Sequence, residues 1–356
     1  MPEGLDLKEL RRLKLLILVS WKEEGKWDLC EPMQNHVGQL EILQPFFFKS
    51  AYLSFLNKIS VKLSFFYVPL RALFYRKKFD VILSWPMQMG LFYGICNRMG
   101  VRPDHARHLL RDFHINLTRT DFAYRLRLIL LRLAIKGIDF FLVTSRIEER
   151  IYSRMFNIKR ERLRFLHEAP PNHYLTQKPI PTQDYILSYG NSDRDFDTLI
   201  AASAGMNRRV IILSQNYVSD QSLPEHIELI SHRIGADELI ELIAAARIVV
   251  LPLDDYRIAA GQLGMLETMA LGRPLIVTTN MATEEYAVHK ETAIFYEAKN
   301  ERELNRQLRY LWENPKKGDA MGCLAREKSR SFGDMEMTIF YETLNYMQKK
   351  RQVKPA

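Results

Sequence analysis

Short apolar runs alternate with longer amphipathic segments over most of this chain of 356 residues. Each run has the length of one strand, and its consecutive apolar residues are typical of strands that are buried on both faces. In the intervening segments the apolar residues recur at helical spacing. Strands that alternate with helices in this way predict an α/β protein with parallel sheets.

The first half of the chain is predicted to contain five strands, at residues 14–20, 79–84, 108–114, 138–145 and 164–167. Helices are predicted over Met87–Met99, over residues 121–136 and from Arg146 onward, and the aromatic-rich stretch 41–79 is expected to be helical. Ser145 and Glu148 have the spacing of a capping box at the start of the third helix.

A second alternation begins after residues 168–183, which contain four prolines and no periodic apolar pattern. It predicts strands at 185–189, 209–213, 227–230, 248–251 and 275–277, and helices at 196–204, 236–245, 301–313 and 335–350. We therefore expect an N-terminal domain over 1–170, a linker over 171–184 and a C-terminal domain over 185–330. A final helix within 331–356 is expected to pack back on the first domain.

The most ordered pattern lies between residues 257 and 276, where a glycine turn, an amphipathic helix and a buried strand follow one another without a gap. Gly261 and Gly264 leave the first turn of the helix without bulky side chains, so its backbone N–H groups are expected to face an anion. Glu267 lies one turn further on. The alternative is an ordinary loop, helix and strand of an α/β protein.

Composition narrows the class of protein only in part. The net charge of +9 leaves phosphorylated ligands, anionic lipid and nucleic acid open. The basic residues are scattered over helices without an interleaved aromatic motif, which argues against nucleic acid. Three widely separated cysteines predict neither a disulfide framework nor a zinc site. No apolar run approaches the roughly 18 residues of a membrane span, so we expect a cytoplasmic protein.

The strand predicted at residues 108–114 carries polar side chains at its end. Open α/β sheets bind ligands at the carboxyl ends of their strands, so His114 is a candidate site residue. Asp112 lies two residues earlier, on the same face of the predicted strand, and is expected either to orient His114 or to be a surface carboxylate.

Three ordered motifs in the second half resemble a known family. Residues 185–202 look like a glycine-ended strand and the helix after it, residues 237–253 like the helix and strand that precede a donor site, and residues 261–274 like a Gly-x-x-x-x-x-Glu-x-Met-Ala-x-Gly-x-Pro signature. Together they resemble the nucleotide-sugar-binding domain of GT-B glycosyltransferases, most closely the retaining family 4, also called glycosyl transferases group 1. The first half resembles the acceptor domain of this family more weakly, best over residues 138–167.

The resemblance implies a GT-B fold, with two Rossmann-like domains facing a central cleft. It also implies retaining transfer from a UDP- or GDP-sugar to a glycan or lipid-linked acceptor, in the synthesis of cell-surface polysaccharide or glycoconjugate, without a metal cofactor. Glu267 matches the family's ribose-binding glutamate. His114 lies near the family's cleft-facing histidine, so the resemblance makes His114, with Asp112, the catalytic candidate; a structural histidine is the alternative. The remaining donor-binding candidates are Gly261, Gln262 and Leu263 at the helix start, Gly190, Asn191 and Arg194 for the diphosphate, and Arg233 and Ile234 for the base.

One position departs from the family. Ala259 stands eight residues before Glu267, where a sugar-contacting glutamate is usual. Either another residue, such as Gln262, replaces that contact, or the chain is a catalytically reduced member that binds nucleotide or glycan as a partner subunit. A different enzyme of the same fold, such as an epimerase, remains a third reading, because fold does not settle chemistry.

The predicted acceptor half is also rich in basic residues. Residues 119–164 hold 12 Lys and Arg against 5 Asp and Glu, interleaved with leucine, isoleucine and phenylalanine. This composition predicts peripheral contact with the inner face of an anionic membrane. A solvated helical face is the alternative.

Overall fold

The computed structural model describes residues 7–22, 30–47, 54–99, 106–116, 122–219, 222–257 and 259–352. The chain divides into two compact units. The first unit comprises Met1–Ile115, Arg119–Leu166 and Met337–Ala356, and the second comprises Asn116–Thr118 and His167–Glu336.

The first unit is built on a sheet of six strands, β1 (Lys14–Leu18), β2 (Gln39–Leu43), β3 (Val81–Ser84), β4 (Arg107–Leu110), β5 (Phe140–Val143) and β6 (Leu163–Phe165). All are parallel and lie in the order β2-β1-β3-β4-β5-β6. Its helices are α1 (Leu7–Leu10), α2 (Cys30–His36), α3 (Ser54–Tyr75), α4 (Met87–Met99), α5 (Phe122–Ile135) and α6 (Arg146–Phe156).

The second unit repeats the design with β7 (Gln183–Tyr189), β8 (Arg209–Leu213), β9 (Ile227–Ile230), β10 (Ala246–Leu251), β11 (Leu275–Thr278) and β12 (Ile294–Tyr296). These strands are also parallel, in the order β12-β11-β10-β7-β8-β9. Its helices are α7 (Asn172–Leu175), α8 (Phe196–Ser203), α9 (Ala236–Ala245), α10 (Gln262–Ala270), α11 (Thr283–Tyr286), α12 (Glu301–Glu313) and the first part of α13 (Pro315–Gln352).

Alternate residues of β1, the strand next to the edge strand β2, face two different hydrophobic cores. Leu15 and Ile17 pack in one core with α2 and the last part of α13, which contributes buried Phe340. Leu16 and Leu18 face the other side, where α3 and α4 cover the sheet. Because successive side chains of a strand point in opposite directions, a run of apolar residues indicates a strand covered on both faces, as the sequence predicted.

The segment over 171–184, which the sequence marks as a linker, is packed on the second unit. Leu175 and Ile180 lie against its core, and the Arg326 guanidinium donates to the backbone carbonyls of Leu175 and Gln177. Among the described residues no helix combines the length and the hydrophobicity needed to cross a membrane.

Three predicted boundaries were wrong. An edge strand, β2 (Gln39–Leu43), extends into the start of the aromatic-rich stretch 41–79, which was expected to be helical. Strand β4 ends at Leu110 and does not reach His114, because Asp112 has a left-handed backbone with φ of 55°.

The third concerns α13, which begins at Pro315, well before the predicted start at 335. The sequence pattern did not predict the first part of α13 as helix because that part contains glycines, and glycine disfavours helices. At Gly322 the reason for glycine is a close approach: a Cβ there would lie 2.1 Å from the Gly272 carbonyl oxygen.

Candidate functional site

The sheet of the second unit reverses its strand order between β7 and β10. From β7 the chain adds β8 and β9 on one side, and from β10 it adds β11 and β12 on the other. The loops that follow β7 and β10 therefore leave the same edge of the sheet in opposite directions. In open α/β sheets such a point leaves a crevice at the carboxyl ends of the strands, where ligands bind.

The loop after β10 leads into the start of α10. Gly261 is the N-cap residue and has a left-handed backbone with φ of 89°, a conformation that favours glycine. A Cβ there would also come within 2.9 Å of the Leu253 side chain. No side chain caps this helix, and the backbone N–H groups of Leu263 and Gly264 have no acceptor among the described residues. These N–H groups and the helix dipole suit an anion.

Arg194 lies against the loop that follows β7. Its Nε donates to the Tyr189 carbonyl oxygen at 3.0 Å and its Nη1 to the Ser192 carbonyl oxygen at 2.8 Å. Gly190, with φ of 126°, makes room for the guanidinium, because a Cβ at that position would lie 2.6 Å from Arg194 Nη2. A backbone bridge joins Arg194 to Leu253, so the cation is held beside the loop after β10.

Glu267 projects from the second turn of α10 and is only 7% exposed. Burial raises the pKa of its carboxyl group to about 7, although the hydroxyls of Tyr174 and Tyr189 and the nearby Arg194 favour the charged form. Tyr189 also donates to the Gly264 carbonyl oxygen at 2.7 Å, which ties β7 to α10. Near pH 7 the Glu267 carboxyl group is therefore about half ionised. Its ionised form, close to the Arg194 cation, can accept hydrogen bonds from a polar ligand.

A second polar cluster follows β3 and β4 in the first unit. The Arg111 guanidinium is buried and stacks on the Trp85 ring, with its Cζ 3.6 Å from the ring centroid. Asp112 receives hydrogen bonds from Arg111 and from the Trp85 indole. Burial nevertheless raises the pKa of the Asp112 carboxyl group.

His114 is held by a carboxylate other than the expected one. Its Nδ1 donates to Oε1 of Glu148 at 2.7 Å, and the Glu148 side chain is fully buried on α6. Glu148 accepts three more hydrogen bonds, from the Tyr152 hydroxyl and from the N–H and hydroxyl of Thr144. The hydrogen bonds to Asp112 come from Arg111 and Trp85, and its interaction with His114 is electrostatic, so its part in orienting His114 stays a prediction.

Residues 184–314 match the family model described as "Glycosyl transferases group 1". They form a group 1 glycosyltransferase domain. The match includes β7 to β12 and contains Arg194, Gly261 and Glu267, and it confirms the resemblance that the three sequence motifs indicated. A search of curated protein sequences found no match to the chain.

Solved structures match over both units. Anabaena Alr3699/HepE in complex with UDP-glucose has a TM-score of 0.67 at 12% identity, covering 94% of this chain and 100% of that protein. Sucrose-phosphate synthase from Thermosynechococcus elongatus has a TM-score of 0.66 at 14% identity, covering 95% and 99%. WaaG, a glycosyltransferase involved in lipopolysaccharide biosynthesis, has a TM-score of 0.58 at 13% identity, covering 91% and 98%. These likenesses confirm the GT-B fold.

Other predicted donor-binding residues of the group 1 domain differ in their surroundings. Asn191 is exposed, and its Oδ1 accepts from the Gln215 N–H at 2.7 Å, which fixes the loop after β8. Gln262 is buried at the helix start, whereas Leu263 is 55% exposed. Arg233 is exposed in the loop between β9 and α9, next to the partly buried Ile234.

Ala259 is buried just before the helix of the group 1 domain and carries no group that could hold a sugar hydroxyl. The two neighbouring carboxylates are engaged elsewhere, Asp255 with Arg257 and Asp254 with Lys299. Within the described part of the chain, no cluster of three His, Cys, Asp or Glu side chains has the arrangement of a metal site.

Sequence reasoning missed three residues of these clusters. Tyr174 lies in the proline-rich segment taken as a linker, yet its hydroxyl reaches Glu267. Tyr189 was read only as the end of a strand. Glu148 was assigned to a capping box, but its carboxylate accepts from Thr144, while Ser145 caps α6 alone. No local signal in the sequence marks these long-range contacts.

Proposed function

We propose that the protein is a retaining glycosyltransferase that moves a sugar from a UDP- or GDP-sugar to a glycan or lipid-linked acceptor. The observation that carries this proposal is the convergence of open N–H groups at α10, Arg194 and Glu267 at the point where strand order reverses. HepE, of the same fold, binds UDP-glucose, and WaaG acts in lipopolysaccharide biosynthesis, which supports this donor class and an acceptor of the cell surface.

Each group is assigned to one part of the donor. The diphosphate lies against the N–H groups of Leu263 and Gly264, with Arg194 as its cation and Gly190 and Asn191 shaping the loop. As the bond to the sugar breaks, negative charge grows on this diphosphate, and donors fixed in advance stabilise it without a metal. Glu267 accepts from the ribose hydroxyls, and the loop with Arg233 and Ile234 holds the base.

Following the family resemblance, contacts with the transferred sugar are assigned to Gln262 and to His114. His114, fixed through Nδ1 by Glu148, presents its ring to a hydroxyl of the transferred sugar, and Asp112 is the second polar group of that cluster. Gln262 replaces the contact that Ala259 cannot make. Because the buried Glu148 sets the ring's tautomer, Nε2 of His114 is the atom that would accept from the sugar.

The proposal is tested by screening the purified protein against UDP, GDP and CMP and their sugars, first by thermal shift and then by release of the nucleoside diphosphate. We expect stabilisation by one nucleoside diphosphate, and slow hydrolysis of its sugar that is lost in Gln262→Ala. If no nucleotide raises the melting temperature, the donor site is misassigned.

A second function is favoured by Ala259. Because the described neighbouring carboxylates are paired and Ala259 is apolar, the chain could bind nucleotide as a subunit without transferring sugar. The two functions separate in the same screen: nucleotide binding without hydrolysis of any donor supports the binding subunit.

A further inference from the structure

Helix α3 exposes a continuous apolar row on the side that faces away from the sheet. The opposite side of the helix, including Val68 and Ala72, is buried against the first unit's core. The row recurs at spacings of three and four residues, which places its members on one helical face. Its members, each 43–85% exposed, are Phe55, Ile59, Leu63, Phe66, Leu70 and Phe74.

Helix α5 exposes a second row of the same kind. Its buried side includes Leu131 and Ala134. The exposed members, at 41–82%, are Phe122, Leu126, Ile129, Leu130 and Leu133. Together the two rows account for half of the large apolar side chains that are exposed in the described part of the chain. Single exposed apolar residues are ordinary on protein surfaces, whereas a contiguous set marks an interaction site.

Helix α4 lies between α3 and α5 and brings the two rows onto one surface, here called the α3–α5 surface. Phe66 of α3 contacts Phe92 of α4 edge to face, with ring centroids 5.2 Å apart. On the other side Gly94 of α4 packs against the end of α5, since a Cβ there would lie 2.7 Å from the Ala134 carbonyl oxygen. Close packing on both sides of α4 keeps the rows adjacent.

The charge of this surface is of one sign. Helices α3, α4 and α5 contain no aspartate or glutamate. The basic residues within or directly after these helices are Lys58, Lys62, Arg71, Arg76, Lys77, Lys78, Arg98, Arg125, Arg127, Arg132 and Lys136. Basic side chains with long apolar stems beside large apolar residues are the composition of helices that lie in a membrane interface.

We propose that the α3–α5 surface docks on an anionic lipid bilayer, with the apolar rows entering the interface and the basic side chains meeting headgroup phosphates. A second copy of the chain is a poorer occupant, because a symmetric interface would bring the same unbalanced positive charges together. The α3–α5 surface differs from the basic interval 119–164 that the composition indicated. It includes α5 from that interval and α3 from outside it. It excludes α6, whose exposed side chains are polar apart from Met155.

The test is flotation of the full chain with vesicles of phosphatidylcholine and phosphatidylglycerol at about 70:30, against phosphatidylcholine alone. We expect binding to the anionic vesicles, weaker binding to neutral ones, and partial loss in about 1 M salt. The double variant Phe74→Glu, Phe122→Glu should lower the partition coefficient by roughly tenfold or more, because two rings leave the interface and two negative charges enter it. Val218→Glu is the matched control, since Val218 is 81% exposed in the second unit, and it should bind like the wild type.

Three results would overturn the proposal: equal flotation of the double variant and the wild type, absence of wild-type binding at low salt, or a wild-type dimer in light scattering that the double variant converts to monomer without any vesicle binding. The last result would assign the surface to a second copy of the chain. None of these measurements uses a nucleotide, so their outcome does not depend on whether the protein has the proposed transferase activity.

Discussion

Replacing Glu267 with glutamine should stabilise the protein at high pH and weaken its binding of nucleotide. The folded protein raises the pKa of this carboxyl group from 4.5 to about 7. Between these values the unfolded chain releases its proton while the folded chain keeps it, so stability falls as pH rises through this window and stays low above about pH 7. This rise in the pKa lowers the free energy of unfolding by about 3 kcal/mol once the carboxyl group is fully ionised. Glutamine has the shape of the neutral acid and avoids this cost.

The assay is thermal unfolding of wild type and Glu267→Gln without nucleotide, at about pH 5 and about pH 8. At about 2–4 °C per kcal/mol for a unit of this size, the variant should melt roughly 6–12 °C higher at the upper pH and nearly equally at the lower one. Glu241→Gln, an exposed change on α9, is the control and should shift neither value.

The same variant tests the ribose assignment. Ribose hydroxyls donate to the ionised form, so wild-type affinity for the nucleoside diphosphate should rise more between about pH 5 and pH 8 than that of Glu267→Gln, for which only the ionisation of the ligand's own phosphate remains. At the upper pH the variant should bind ten- to a hundredfold more weakly, as expected for lost hydrogen bonds to a charged group of about 1.5–3 kcal/mol. A variant that is less stable than wild type at high pH would refute the burial argument, and unchanged affinity would refute the ribose contact.

Three further predictions concern the remaining polar groups. His114→Ala should lower turnover by roughly ten- to a hundredfold while the nucleotide dissociation constant, measured by calorimetry, stays within about twofold; a large fall in affinity would contradict its role at the sugar. Glu148→Gln should lower turnover to a similar extent and change the pH dependence of turnover. The control Tyr152→Phe keeps the carboxylate and should lower turnover less. If Glu148→Gln and the wild type have the same pH dependence, Glu148 is only a structural residue. Arg194→Lys should weaken binding of the nucleoside diphosphate by roughly tenfold but leave binding of the nucleoside unchanged, because lysine lacks the planar guanidinium that can contact two carbonyls and a phosphate together. An equal loss of affinity for both ligands would argue against a diphosphate contact.

The sequence predicted best those parts whose signal is local. The helices Met87–Met99, Ala236–Ala245 and Glu301–Glu313 have the expected bounds, since apolar spacing and chain breaks define them. The start of α10 was predicted because the left-handed turn at Gly261 requires glycine. Contacts between distant segments were not predictable: Glu148 lies 34 residues from His114, and only the sheet brings α6 beside the end of β4. Strand β2 was missed because its burial is intermediate, so its pattern is weak.

Helix α13 has a consequence for how the protein is made. The first unit's core is completed by Phe340, Leu344 and Met347, which are the last part of the core to leave the ribosome. Until then the face of β1 that they cover is open, although the rest of that unit ended at Leu166. Burial of three such side chains contributes several kcal/mol, about 1.5–3 kcal/mol each, comparable with the whole stability of a domain. The first unit should therefore mature after the second one has been synthesised, and a fragment that stops near residue 170 should aggregate.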